Sequence, residues 1–135
     1  MSEAQKSGTA GLGIQPAHFP GRAPVDTYGN GGFRFADMSH KGSILCLPSG
    51  IYGWVAKTPN DISLSTFKRV LSETDLEIVL VGTGADLIPL PKSLRDALQK
   101  KGIRADPMST GAAARTFNVL LAEGRAVGAA LLAVD

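Results

Sequence analysis

Residues 77–91 read EIVLVGTGADLIPLP. Ile78 to Val81 form a continuous apolar run with β-branched residues, the pattern of a strand covered on both faces. The run stops at Gly82-Thr83-Gly84, and Pro89 and Pro91 follow. A strand buried on both sides needs packing elements on both sides, so this stretch predicts an α/β domain. It also poses a functional question. Gly82-Thr83-Gly84 either offers backbone N–H groups and a hydroxyl to a phosphate or carboxylate, or it only lets the chain leave the strand sharply.

The flanking rhythm supports the α/β reading. Upstream, Leu64, Phe67, Val70 and Leu71 recur at helical spacing, with Asp61 or Ser63 as N-cap. Downstream, residues 91–102 (PKSLRDALQKKG) place Leu94 and Leu98 four apart and end at Gly102. Residues 103–107 (IRADP) read as a short strand. Residues 108–124 (MSTGAAARTFNVLLAEG) are the best helix, capped by Ser109 or Thr110 and closed by Gly124. Ala113, Phe117, Leu120 and Leu121 line one of its faces. Residues 125–134 (RAVGAALLAV) form a last strand, made permissive by Gly128.

The first half reads as short β elements. Residues 28–37 (YGNGGFRFAD) turn at glycines, and then Phe33 and Phe35 alternate with Arg34. Residues 42–56 (GSILCLPSGIYGWVA) read as a hairpin around Pro48-Ser49-Gly50. The expected architecture is a three-layer α/β fold. It has a mainly parallel central sheet of about four strands, flanking helices, and a small additional β-layer from the N-terminal half. Residues 1–24 mix Gly, Pro, Ser and Ala and are expected to be a flexible tail, with a strand or hook near Ile14 as the exception. Residues 25–135 are expected to form the single domain.

Composition narrows the function classes. The 14 basic and 12 acidic residues are scattered, which argues against the dense basic face that nucleic acid requires. The lone cysteine, Cys46, sits in an apolar run and reads as a small buried hydrophobe. The longest apolar stretch, residues 126–134, is too short to span a bilayer, and no signal-peptide core precedes the domain. A cytoplasmic location is expected, with peripheral membrane association left open. No catalytic or metal-binding constellation is present: GxSxG, HExxH and CxxC are all missing. No cofactor is implied.

Two places could bind something. Ligands in open α/β sheets sit beyond the carboxyl ends of strands. Right-handed crossovers bring Gly82, Thr83 and Gly84 to the same rim as Ser109 and Thr110. There the helix start, with Arg115 one turn on, could hold an anion. The plainer reading makes Ser109 and Thr110 caps and the glycines turn residues. Second, Arg115 and Asn118 lie three apart, off the apolar stripe. They are either a recognition pair for a partner or simply a solvated face.

The segments YGNGGFRF, GSILCLPSGIYGWVA, EIVLVGTG and, above all, DPMSTGAAARTFNVLLAEGRAVGAALLAV resemble a known family. It is the small domain of mitochondrial complex I assembly factor three and its bacterial and archaeal relatives, long classed as of unknown function. The resemblance covers about residues 25–134. It implies a three-layer α/β domain with a small extra β-layer. It also implies a role in binding other proteins while the membrane-bound NADH:ubiquinone oxidoreductase is built. The family often carries a cysteine near position 114, where this chain has Ala114, so a thiol role there is not expected. No catalytic residue is transferred. The leading expectation is a non-enzymatic protein-interaction module whose partners are respiratory-complex subunits or assembly factors. The alternative is a protein that binds a phosphate- or carboxylate-bearing small molecule at the rim.

Overall fold

A computed structural model describes residues 19–135. Three short strands, β1 (Thr27–Gly29), β2 (Gly32–Phe35) and β3 (Met38–Lys41), form an antiparallel sheet in chain order. Five more form the main sheet: β4 (Ser43–Leu47), β5 (Gly50–Trp54), β6 (Ile78–Gly82), β7 (Arg104–Met108) and β8 (Val127–Leu131), in the order β5-β4-β8-β6-β7. The helices are α1 (Lys68–Leu71), α2 (Lys92–Lys100) and α3 (Thr110–Ala122).

Strand β6 shows why the fold closes as it does. Its side chains alternate between two cores. Val79 and Val81 pack with Leu94 and Leu98 of α2 and with Phe67, whereas Leu80 packs with Ala113 and Phe117 of α3 and with Phe33 and Phe35 of β2. The main sheet is therefore covered on both faces, as an uninterrupted apolar run requires.

The sheet differs from the expected one in strand count and sense. It has five strands rather than about four. Strands β7, β6 and β8 are parallel, but β4 runs antiparallel to both β8 and β5. The hairpin of residues 43–54 thus joins the main sheet instead of forming a separate layer. All five residues of β4 are buried, including Cys46. A strand apolar on both faces gains most in the centre of a doubly covered sheet. The separate sheet holds only residues 27–41, and its third strand, MSHK, is too polar to announce itself by alternation.

The upstream helix is also shorter than its spacing suggests. Only Lys68–Leu71 is α-helical. Before it, Asp61 accepts the backbone N–H groups of Lys57 (2.8 Å) and Thr58 (3.0 Å), and Thr66 Oγ1 donates to the Asp61 carbonyl (2.7 Å). Serine and threonine side chains in residues 63–66 compete with helix formation for the backbone. Leu64 consequently points to solvent, while Phe67 is fully buried, edge-on to Trp54 with ring centres 5.7 Å apart.

Turn chemistry sets the small sheet. Asn30 and Gly31 join β1 to β2 with φ of 54° and 78°, the positive values a two-residue hairpin loop demands. Pro107 is tolerated in β7 because that strand is an edge. Of the tail expected at residues 1–24, residues 1–18, and with them the strand or hook near Ile14, lie outside the described residues. Phe19 pairs with Ile51 of the opposite edge strand β5, and Ala23 and Val25 are buried against the α3 side of the sheet.

Candidate functional site

The rim at the carboxyl ends of β6 and β7 brings together Gly82, Thr83, Gly84, Ser109 and Thr110, as right-handed crossovers require. Their polar atoms are used within the chain. Gly82 accepts the Leu132 N–H (3.0 Å), and the Thr83 N–H donates to Met108 (2.9 Å). The buried Thr83 hydroxyl donates to the Asp86 carbonyl (2.5 Å) and accepts the Ile88 N–H (2.9 Å). Thr110, fully buried, accepts the Gly84 N–H at its hydroxyl (3.1 Å) and donates to the Leu132 carbonyl (2.8 Å). Ser109 is the N-cap of α3 and accepts the Ala112 N–H (3.4 Å). A Cβ on Gly82 would lie 2.8 Å from the Thr110 Cα, so the absence of a side chain lets the first turn of α3 sit directly on the end of β6.

The second candidate pair separates in role. Asn118 is half-buried, and its amide clasps the backbone of Val25: Oδ1 accepts the Val25 N–H (2.9 Å) and Nδ2 donates to the Val25 carbonyl (2.8 Å). This pair of hydrogen bonds to the backbone of one residue anchors on α3 the segment that enters the small sheet. Arg115 is exposed, and its Nη1 lies 3.4 Å from the Tyr28 hydroxyl. Tyr28 reaches over the first turn of α3, where a Cβ on Gly111 would come within 2.2 Å of its oxygen. Sequence reasoning did not single out Tyr28. A glycine in the first turn of an otherwise alanine-rich helix was the available signal, since it marks a close approach.

Perturbed acidities follow local structure. Burial pushes the Cys46 thiol up to about 12. Backbone N–H groups of Lys57 and Thr58 hold the Asp61 carboxyl below its ordinary range, and the hydrogen bond from Lys92 does the same for Asp96. Among the described residues no group of three His, Cys, Asp or Glu side chains could hold a metal ion. No helix among them is long and apolar enough to cross a membrane.

A five-stranded mixed sheet with a small antiparallel sheet and three helices is the architecture of Mth938-like domains. One of these, from Bordetella pertussis, superimposes with a TM-score of 0.73 at 28% identity, covering 91% of this chain and 92% of that one. The chain belongs to the family described as "Protein of unknown function (DUF498/DUF598)", whose model matches residues 25–132. A crystal structure described as an outer membrane protein from Bartonella henselae is 61% identical, with a TM-score of 0.84 over 87% of this chain and all of that one.

An uncharacterized protein of Rhodobacter capsulatus is 43% identical over 114 residues, 84% of this chain and 87% of its own length. The protein named NADH dehydrogenase [ubiquinone] 1 alpha subcomplex assembly factor 3 is 31% identical in mouse over 90% of this chain, and 34% identical in human over 80%. The chain spans 66% of the mouse protein and 59% of the human one.

Proposed function

We propose that this domain is a non-enzymatic protein-interaction module that helps to assemble a respiratory membrane complex. The observation that carries this reading is its kinship with assembly factors over nearly the whole domain. The internal use of the rim's polar atoms adds to it, because a ligand pocket would hold donors in reserve. Its partners are then subunits or other assembly factors of that complex, met from the cytoplasm or at the membrane surface. Exposed Arg115 and the apolar pair Leu87 and Ile88, both at solvent in the loop after Gly84, are the groups available for contact near the rim.

The test is a cross-linked pull-down from the native cell, comparing the wild-type chain with Arg115→Ala. Recovery of NADH dehydrogenase subunits by the wild type, reduced by the substitution, is the expected result. Recovery of no respiratory subunit by the wild type would overturn the reading.

The alternative is phosphate or carboxylate binding at Gly82, Thr83, Gly84, Ser109, Thr110 and Arg115. It requires the ligand to replace hydrogen bonds already made. Titration with inorganic phosphate and a panel of carboxylates, followed by amide NMR, would support it if both rim segments shift together. Silence there would remove it.

A further inference from the structure

The small sheet turns Phe33 and Phe35 inward to the core and leaves a second face to solvent. Cross-strand register puts Thr27, Arg34 and Ser39 in one row on that face, and Gly32 is paired with Lys41 in the next. Arg34 donates to the Ser39 hydroxyl at 2.5 Å, which holds the guanidinium over the sheet. Gly29 leaves part of the floor bare, Gly32 is pressed against the His40 backbone, and a cleft of about 500 Å³ opens above them. A second hollow of about 510 Å³ shares His40 and Lys41 with the first. It continues past the end of β3 to Gly53, Trp54, Val55 and Ala133. Val55 is 72% exposed there, the most exposed large apolar side chain among the described residues. Among the described residues no Asp or Glu lines either hollow. Two adjoining hollows therefore form a composite groove, one cationic with Arg34 and Lys41, the other mainly apolar around Trp54, Val55 and Ala133 with Lys57 also in its lining.

We infer that this groove docks an extended segment of a protein partner in which acidic residues stand beside an aliphatic one. This deepens the interaction reading given above by naming a surface and a partner chemistry. Charge complementarity selects the acidic residues, which Arg34 can take bidentately and Lys41 as a point charge. The apolar half selects the aliphatic neighbour, because covering Val55 removes from water a side chain that folding leaves exposed. A free phosphate would use only the first half, and a purely apolar segment only the second. The sheet beneath is fixed by Phe33 and Phe35 in the core, so the groove is pre-formed and costs little ordering on binding.

The experiment uses the full chain and an array of labelled twelve-residue peptides that alternate Glu or Asp with Leu or Ile. Matched controls carry Lys for the acids or Ser for the aliphatics. Acidic-aliphatic peptides are expected to bind and to shift amides in residues 27–42 and 53–57. The double variant Arg34→Glu/Lys41→Glu should weaken binding at least about tenfold, as loss of close charge pairs does. Val55→Ser should weaken it less, with the unfolding midpoint unchanged in both variants.

Several outcomes overturn the inference. They are equal binding by the Lys controls, shifts confined to residues 82–88 and 109–115, the same shifts with inorganic phosphate alone, self-association through this face, or no binding by any acidic-aliphatic peptide. The pull-down above can still recover respiratory subunits in each of these cases, so the two readings fail separately.

Discussion

Replacing Gly82 by alanine tests the structural account of the rim directly. The new methyl group would stand 2.8 Å from the Thr110 Cα, and 3.0 Å from both the Thr110 hydroxyl and Leu131 Cδ2. The Thr110 Cα is backbone, and Thr110 is tied on one side to Gly84 and on the other to Leu132. The first turn of α3 cannot retreat without stretching those bonds. Overpacking of this kind costs about 1–3 kcal/mol. Alanine recovers roughly 0.4–1 kcal/mol by restricting the unfolded chain. The difference spans about 0–2.6 kcal/mol, and because the closest contact is to backbone that cannot swing away the upper half applies, about 1.3–2.6 kcal/mol, a fall in midpoint of roughly 4–10 °C for a domain of this size. Thermal and urea unfolding followed by the fluorescence of buried Trp54 would read it. Gly84→Ala is the companion: nothing lies within 4 Å of its Cβ position, but its φ of +105° makes any side chain strained. An unchanged midpoint for Gly82→Ala would refute the close-packing argument. A midpoint that rises with inorganic phosphate in the wild type, and not in the variant, would point instead to an anion held at that turn.

Four further outcomes are expected. Phe117→Ala should cost about 3–5 kcal/mol in urea unfolding, because the ring is buried between α3 and the main sheet. Asn118→Ala should cost about 1–3 kcal/mol, since it orphans the partly buried N–H and carbonyl of Val25, and hydrogen exchange at the Val25 amide should accelerate; Arg115→Ala should stay within about 0.5 kcal/mol of wild type. Native Cys46 should resist a disulfide reagent at pH 8, because a buried thiol pushed up to about 12 carries little thiolate, and should react rapidly once urea unfolds the chain. Fast labelling of the folded protein would show that β4 is not central.

Much of this architecture is legible along the chain. The apolar run at residues 78–81, the capped and Gly-terminated helix of residues 110–122 and the aliphatic pair Leu94 and Leu98 are local patterns. Their period and punctuation specify strand or helix without help from distant residues. The helix at residues 64–71 was overread for a related reason. Apolar spacing is shared by a true helix and by a turn-rich segment, and here the side-chain hydrogen bonds of Asp61 and Thr66 decide between them. The Gly82-Thr83-Gly84 turn was visible as a turn, but the partners of its donors were not, because Met108 and Thr110 lie more than twenty residues away.

The sequence by itself determined the class of the domain and most of its main-sheet strands and longer helices, because hydrophobic period, caps and turn residues act over a few positions; the family followed from the likeness of whole segments to relatives. Only the tertiary structure decided three things: which sheet the hairpin of residues 43–54 enters, that Asn118 serves the backbone of Val25, and that Lys41 stands between the hollow of Arg34 and that of Val55. Each depends on register between strands or on contacts across much of the chain. That is settled by which faces can be buried together, not by any local preference.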